Sequence, residues 1–124
     1  QNVVEEADIV SIHCPGGDAT HQLVDSDTIA RMKEAAILIN TARGEVVDEA
    51  ALIDALQAGS IAGAGFDVYE NEPAVPSALK SMENVVLLPH LGSASLETRV
   101  AMGMRVIDNL NAFFAGQDPP DRVT

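Results

Sequence analysis

One arginine, one carboxylate and one imidazole stand where they could bind and protonate a small organic acid. Arg43, Glu72 and His90 each come shortly after a run of apolar residues. A guanidinium holds a carboxylate or carbonyl oxygen through paired hydrogen bonds. A carboxylate beside an imidazole favours the imidazolium, which can then donate a proton near neutral pH. Together these residue types predict a site that binds substrate oxygen atoms and supplies a proton.

Each candidate also has a purely structural interpretation. Arg43 could form a surface ion pair, Glu72 could be one of many solvated acids, and His90 could make a structural hydrogen bond at a strand end. We interpret His13 as structural or exposed, and Cys14 as a residue that lines a crevice rather than a nucleophile. Cys14 and the 3 histidines lack the spacing of zinc ligands, so no metal site is expected.

Apolar runs at residues 7–12, 35–40, 61–68 and 85–88 predict the strands that position these side chains. The segments between them favour an α/β fold, with a parallel sheet covered by helices. Right-handed crossovers place the carboxyl ends of the strands at one edge, where open α/β sheets bind ligands. That edge is predicted to gather the following residues: His13, Cys14, Arg43, Asp67, Glu72 and His90.

Capping residues and apolar periodicity indicate the helices. Asp25 and Asp48 are suited to be N-caps, and Gly59 is suited to end the helix that Asp48 opens. Residues 1–6 carry no cap and are not assigned to a helix, and residues 76–82 are expected to form only a short helical turn.

A long helix is expected to open at Ser95 and to end before Gly116. Its apolar residues recur at alternating spacings of four and three, which predicts one continuous apolar stripe. The stripe consists of Leu96, Val100, Gly103, Ile107, Leu110 and Phe114.

Charge and composition exclude some classes of partner. The chain has 19 Asp and Glu residues against 7 Lys and Arg residues, and its formal net charge is −12. Such a surface repels phosphate backbones and anionic membranes, so neither nucleic acid nor a membrane is expected as a partner. The single cysteine, Cys14, fits a reducing compartment, so a cytoplasmic protein is expected.

Four segments of the chain, in this order, resemble the D-isomer-specific 2-hydroxyacid dehydrogenases. They are ADIVSIHCP at residues 7–15, INTARGEVVD at 39–48, GFDVYENEP at 65–73 and LPHLGS at 88–93. The linked motifs extend over nearly the whole chain, which makes the resemblance specific. The Pro15-Gly16-Gly17 turn and the last helix look most like the glyoxylate and hydroxypyruvate reductase branch of the family.

The resemblance implies a role for each matching position. Arg43 would bind the carboxylate and carbonyl of a small 2-oxo acid, such as glyoxylate or hydroxypyruvate. His90 would protonate the carbonyl oxygen while NADH or NADPH supplies hydride, and Glu72 would hold and polarise His90. Asp67 looks like the acceptor for the nicotinamide carboxamide. The positions that would contact the dinucleotide are His13, Cys14, Pro15, Thr41, Ala42, Arg43, Asp67, His90 and Gly92.

The resemblance also implies that this chain is a fragment of such an enzyme. It lacks the glycine fingerprint that binds pyrophosphate, and it lacks a substrate domain. Residues 1–94 are expected to be the second half of a Rossmann-type NAD(P)-binding domain. Residues 95–116 are expected to form a helix that leads back toward the substrate domain, and residues 117–124 a tail.

Alone, such a chain is expected to be inactive, and to form a homodimer or self-associate through the exposed edge of its first strand. The alternative is a non-catalytic module that senses dinucleotide, similar to the corepressors that share this cofactor domain. Retention of Arg43, Glu72 and His90 does not separate the two hypotheses.

Overall fold

The computed structural model describes residues 3–123, so Gln1, Asn2 and Thr124, at the ends of the predicted half-domain and tail, lie outside the described residues. The chain forms two compact units, which divide between His90 and Leu91. The first unit holds the sheet, and the second holds one long helix.

The first unit is built on a four-stranded parallel sheet with the order β1-β2-β3-β4. The strands are β1 (Ile9–Ile12), β2 (Ile37–Asn40), β3 (Gly63–Phe66) and β4 (Val85–Leu87). Each strand lies within its predicted run and is shorter than it. The predicted α/β class with a parallel sheet is confirmed.

Four helices and one 3-10 turn accompany the strands of the first unit. They are α1 (Val3–Glu6), α2 (Ser26–Ala30), the 3-10 turn Gly44–Val46, α3 (Glu49–Ala58) and α4 (Ser77–Lys80). The short helix α1 is not predicted from the sequence, which offers no capping residue there. Among residues 3–123, none of the helices combines the length and the hydrophobicity that a membrane-spanning helix requires.

The predicted helix caps are present. The Asp25 carboxylate accepts a hydrogen bond from Thr28 N, and the Asp48 carboxylate accepts one from Ala51 N. Gly59 closes α3 in the left-handed conformation, with φ of 69°. Each cap satisfies a backbone group that the helix leaves unpaired, and an N-cap typically contributes about 1 kcal/mol.

Large apolar side chains from the sheet and the helices form the core of the first unit. Leu38 and Phe66 lie on the strands, Ile29 lies on α2, and Leu52 and Leu56 lie on α3. All five side chains are buried. Burial of each side chain of this size stabilises the folded state by about 1.5–3 kcal/mol. These contacts hold the strands, and with them the strand ends, in place.

The second unit contains α5 (Leu96–Phe114). The Ser95 hydroxyl accepts a hydrogen bond from Thr98 N, so Ser95 opens the helix as predicted. After Phe114 the chain turns at Gly116, with φ of 70°, and an ion pair joins Arg105 of the helix to Asp121 of the tail at 2.6 Å. The apolar stripe of α5 is exposed.

Candidate functional site

The carboxyl ends of β1 to β4 lie at the same edge of the sheet because all the strands are parallel. Asn40, Phe66 and Leu87 end three neighbouring strands and are aligned in the register. The segments that carry Arg43, Asp67–Glu72 and His90 therefore leave the sheet side by side.

A buried amide holds the loop that carries Arg43. Asn40 is only 1% exposed. Its Oδ1 accepts a hydrogen bond from Ala42 N at 3.0 Å, and its Nδ2 donates one to the carbonyl oxygen of Arg43 at 2.9 Å. Buried polar groups need partners, and here both partners belong to the loop itself. The side chain of Asn40 therefore determines how the chain turns toward Arg43.

The Arg43 loop also lies directly against the loop that carries Glu72. A Cβ atom on Gly44 would collide with the carbonyl group of Tyr69 and with the backbone nitrogen of Glu70. These are backbone atoms and cannot move aside as a flexible side chain can. A glycine is therefore required at position 44 so that the two loops can touch.

Glu72 and His90 form a hydrogen-bonded pair. His90 Nδ1 lies 2.9 Å from Oε2 of Glu72, and the backbone N–H of Tyr69 donates to Oε1 of Glu72 at 3.1 Å. The His90 hydrogen bond, and next the Tyr69 hydrogen bond, lower the pKa of the Glu72 carboxyl below its ordinary value of 4.5. Glu72 thus remains an acceptor at neutral pH, which directs the proton of His90 Nδ1 toward it and turns Nε2 of the ring outward.

Tyr69 connects the two loops that hold this pair. Its hydroxyl donates a hydrogen bond to the carbonyl oxygen of Leu88 at 2.8 Å. Tyr69 is buried and stacks on Phe66, with 6.2 Å between ring centroids. Because Leu88 directly precedes the Pro89–His90 segment, this bond positions His90 relative to Glu72.

His90 has a left-handed backbone conformation, with φ of 55°. Residues other than glycine seldom adopt positive φ, and strained conformations of this kind cluster at functional sites. The turn redirects the chain three residues after the end of β4, where the side chain meets Glu72.

Arg43, Glu72 and His90 line one open cleft with a volume of about 550 Å³. The Arg43 guanidinium donates one hydrogen bond, from Nη1 to the carbonyl oxygen of Ala42 at 2.6 Å. Within residues 3–123 it forms no ion pair with a carboxylate, so the surface ion pair considered from the sequence is not formed, although its charge helps to lower the pKa of Glu72. The cleft thus combines a cation with a paired imidazole and carboxylate.

The residues expected to contact a dinucleotide have different environments. Asp67 is buried, at 7% exposure, directly after β3. His13 is exposed and its Nε2 bonds the Ser11 hydroxyl at 2.8 Å, whereas Cys14 is a half-buried free thiol. Pro15 and Thr41 are exposed and Ala42 is buried, whereas Gly92 belongs to the second unit. Their contact with a dinucleotide stays a prediction.

Asn40 and Tyr69 are the positioning residues that the sequence interpretation missed. Asn40 occurs at the end of an apolar run, and a polar residue at the end of a buried strand indicates a side chain that holds the following loop through hydrogen bonds. Tyr69 gives no comparable signal, because its partner Leu88 is 19 residues away along the chain.

Comparison with known proteins identifies the family. Residues 1–92 match the family model for the D-isomer specific 2-hydroxyacid dehydrogenase, NAD binding domain. A glyoxylate reductase of Korarchaeum cryptofilum is 49% identical over 124 residues, which are 99% of this chain and 37% of that protein. A glyoxylate/hydroxypyruvate reductase B of Serratia proteamaculans is 50% identical over 115 residues, which are 92% of this chain and 35% of that protein.

A solved structure gives the same result. The NADPH-dependent glyoxylate/hydroxypyruvate reductase of Sinorhizobium meliloti, in complex with NADP and malonate, has a TM-score of 0.86 and 51% identity. The match covers 90% of this chain and 35% of that one, so the chain spans little more than a third of the proteins it resembles. The family predicted from the sequence motifs is thus confirmed, and the chain belongs to the D-isomer specific 2-hydroxyacid dehydrogenases, within their NAD binding domain.

Proposed function

We propose that the protein containing this chain reduces a small 2-oxo acid, glyoxylate or hydroxypyruvate, to the 2-hydroxy acid with NADH or NADPH. The observation that carries the proposal is the cleft in which Arg43 lies with the Glu72–His90 pair. The relatives with similar sequences are glyoxylate and hydroxypyruvate reductases, which supports this substrate class.

Arg43 binds the substrate in this proposal. Its guanidinium forms no ion pair with a carboxylate within residues 3–123, so it is available to an incoming anion. A planar guanidinium can hold the carboxylate and the neighbouring carbonyl oxygen of a 2-oxo acid together. Asn40 and Gly44 keep the loop of Arg43 against the loop of Glu72, so the bound carbonyl is presented to His90.

His90 supplies the proton. Its Nδ1 is engaged by Glu72, which leaves Nε2 to donate to the carbonyl oxygen. Glu72 remains ionised because its pKa is lowered, and it stabilises the positive charge of the ring before the proton leaves. A bound nicotinamide cofactor would supply the hydride, while these side chains orient the substrate and move the proton.

The residues at this edge fit the nicotinamide half of such a cofactor. The buried Asp67 carboxyl is of the acceptor type that a carboxamide N–H requires, and Ala42 adds apolar surface beside Arg43. The proposal assigns contact with the dinucleotide to Asp67, to Thr41–Arg43 and to the His13–Pro15 segment. It also places the protein in the cytoplasm, as a homodimer.

The test is turnover of glyoxylate and hydroxypyruvate with NADH and NADPH by the product of the intact gene. His90→Gln is expected to lower kcat by about 10²–10⁴-fold, the usual contribution of a positioned general acid. Arg43→Gln is expected to raise the KM of the oxo acid by about 10–100-fold, as for loss of hydrogen bonds to a charged group.

Two matched variants control for the loss of a histidine or an arginine elsewhere. His21→Gln and Arg122→Gln change exposed residues outside the cleft, and both should leave kcat and KM unchanged. Dinucleotide binding without turnover of either acid would contradict the proposal and favour a non-catalytic sensing module.

A further inference from the structure

The turn after β1 is tied to the loop of Arg43 through Glu45. The backbone N–H of Gly17 donates a hydrogen bond to Oε1 of Glu45 at 2.6 Å. The backbone N–H of Gln22 donates to the carbonyl oxygen of Glu45 at 2.8 Å. Glu45 therefore contacts both ends of the segment 17–22, although 28 residues separate it from Gly17.

The glycines of this turn allow the close approach. A Cβ atom on Gly16 would collide with Oε1 of Glu45 and would lie 3.0 Å from Cγ of Arg43. Gly17 has φ of 114°, a conformation that a residue with a side chain rarely adopts. The Pro15–Gly17 segment thus lies against Arg43 and Glu45 together, and its sequence is suited to that contact.

Thr20 keeps the turn compact. Its hydroxyl donates a hydrogen bond to the carbonyl oxygen of Pro15 at 2.6 Å, and its backbone N–H donates to the carbonyl oxygen of Gly17 at 2.9 Å. Because these two hydrogen bonds close the turn, a displacement of Gly17 also displaces Pro15. The hydrogen bond from Gly17 to Glu45 therefore sets the position of Pro15.

We propose that Glu45 is a positioning residue that holds the Pro15–Gly17 turn and Arg43 in one fixed arrangement. The inference rests on the proposed function, in which Pro15 contacts the dinucleotide and Arg43 binds the oxo acid. Glu45 follows Arg43 by two positions, within the 3-10 turn Gly44–Val46. One carboxylate thereby couples the binding of cofactor and substrate without contacting either.

The experiment compares Glu45→Ala with Glu45→Gln in the product of the intact gene. Glu45→Ala removes the acceptor of the Gly17 N–H and is expected to raise the KM of both the dinucleotide and the oxo acid by about tenfold. The kcat should change by less than about threefold, because the Glu72–His90 pair is untouched. Glu45→Gln keeps an oxygen that can accept the same hydrogen bond and should restore most of both KM values.

Glu34→Ala serves as the matched control, since Glu34 is exposed and lies outside the cleft and the turn. This variant should have wild-type KM values. If Glu45→Ala lowers the melting temperature while both KM values stay at the wild-type level, Glu45 only stabilises the fold and the proposal is wrong. The proposal is equally overturned if Glu45→Gln behaves like Glu45→Ala, because the acceptor oxygen would then be irrelevant.

Amide hydrogen exchange at Gly17 separates this inference from the proposed function. The Gly17 amide should exchange faster in Glu45→Ala than in the wild type or in Glu34→Ala. Unchanged exchange at Gly17 would refute the positioning role even if the wild type reduces glyoxylate. A wild type that reduces no 2-oxo acid would refute the proposed function, and the exchange rates and dinucleotide affinity would still decide whether Glu45 holds the turn.

Discussion

Replacing Glu72 by glutamine tests the pairing with His90 directly. The carboxylate accepts hydrogen bonds from His90 Nδ1 at 2.9 Å and from Tyr69 N at 3.1 Å. Glutamine has nearly the same size but offers a single acceptor oxygen and an NH₂ group that only donates. Glu72→Gln can therefore satisfy one of the two donors, and it removes the negative charge.

We expect Glu72→Gln to have a small effect on the free energy of unfolding and a large effect on kcat. A hydrogen bond to a charged group is worth about 1.5–3 kcal/mol in general. Here the side chains of Glu72 and His90 are 37% and 48% exposed, so solvent screening reduces the loss in unfolding free energy to about 1 kcal/mol. A folded domain tolerates such a loss, whereas misorientation of a general acid should lower kcat by about 10²–10³-fold.

The assay measures kcat with glyoxylate and the free energy of unfolding of wild type and variant. A kcat within about threefold of the wild type would refute the role of Glu72 in orienting His90. A loss of several kcal/mol in unfolding free energy, matching the loss of activity, would show that the pair serves the fold instead.

The pH dependence of the free energy of unfolding follows from the lowered pKa of Glu72. Because the pKa in the folded state lies below the ordinary 4.5, ionised Glu72 stabilises the folded protein at pH values above about 4.5. This contribution is lost as the pH falls through the folded-state pKa. The difference in unfolding free energy between wild type and Glu72→Gln should therefore shrink in acid, and a difference that grows in acid would contradict the assignment.

Two further predictions follow from the packing. Gly44→Ala forces a Cβ atom into the backbone of Tyr69 and Glu70, so it should lower the free energy of unfolding by about 1–3 kcal/mol and reduce activity. Gly103→Ala adds a Cβ atom that meets nothing within 4 Å in a helix, so it should raise the free energy of unfolding by about 0.5–1 kcal/mol. Denaturant unfolding of both variants measures the difference, and equal effects would contradict this prediction. The 124-residue chain alone should self-associate through the edge strand β1, where Ile9 is 60% exposed, and Ile9→Lys should weaken the association; sedimentation of the unmodified chain as a clean monomer would refute this.

The sequence was sufficient to predict the four strands, the helices α2 to α5 and the common edge of the sheet. Apolar runs have the length of buried strands, and parallel strands connected by right-handed crossovers place their ends together whatever lies between them. Arg43, Glu72 and His90 could therefore be assigned to one edge from the sequence. The helix caps at Asp25 and Asp48 were equally accessible, because a cap is a contact between residues only a few positions apart.

The resemblance to the family also led us to expect that Glu72 holds His90, and the structure places the two side chains 2.9 Å apart. Only the tertiary structure revealed the other contacts between the loops, such as the approach of Gly44 to Tyr69, which joins two loops that follow different strands. The same applies to the bond between Gly17 and Glu45. The periodicity of apolar residues indicates which face of a helix or strand is buried. The path of a loop, by contrast, depends on individual backbone dihedral angles and on contacts with other loops. The sequence by itself therefore determined the strands, their common edge and the chemistry available there, and the tertiary structure decided how the loops at that edge contact one another.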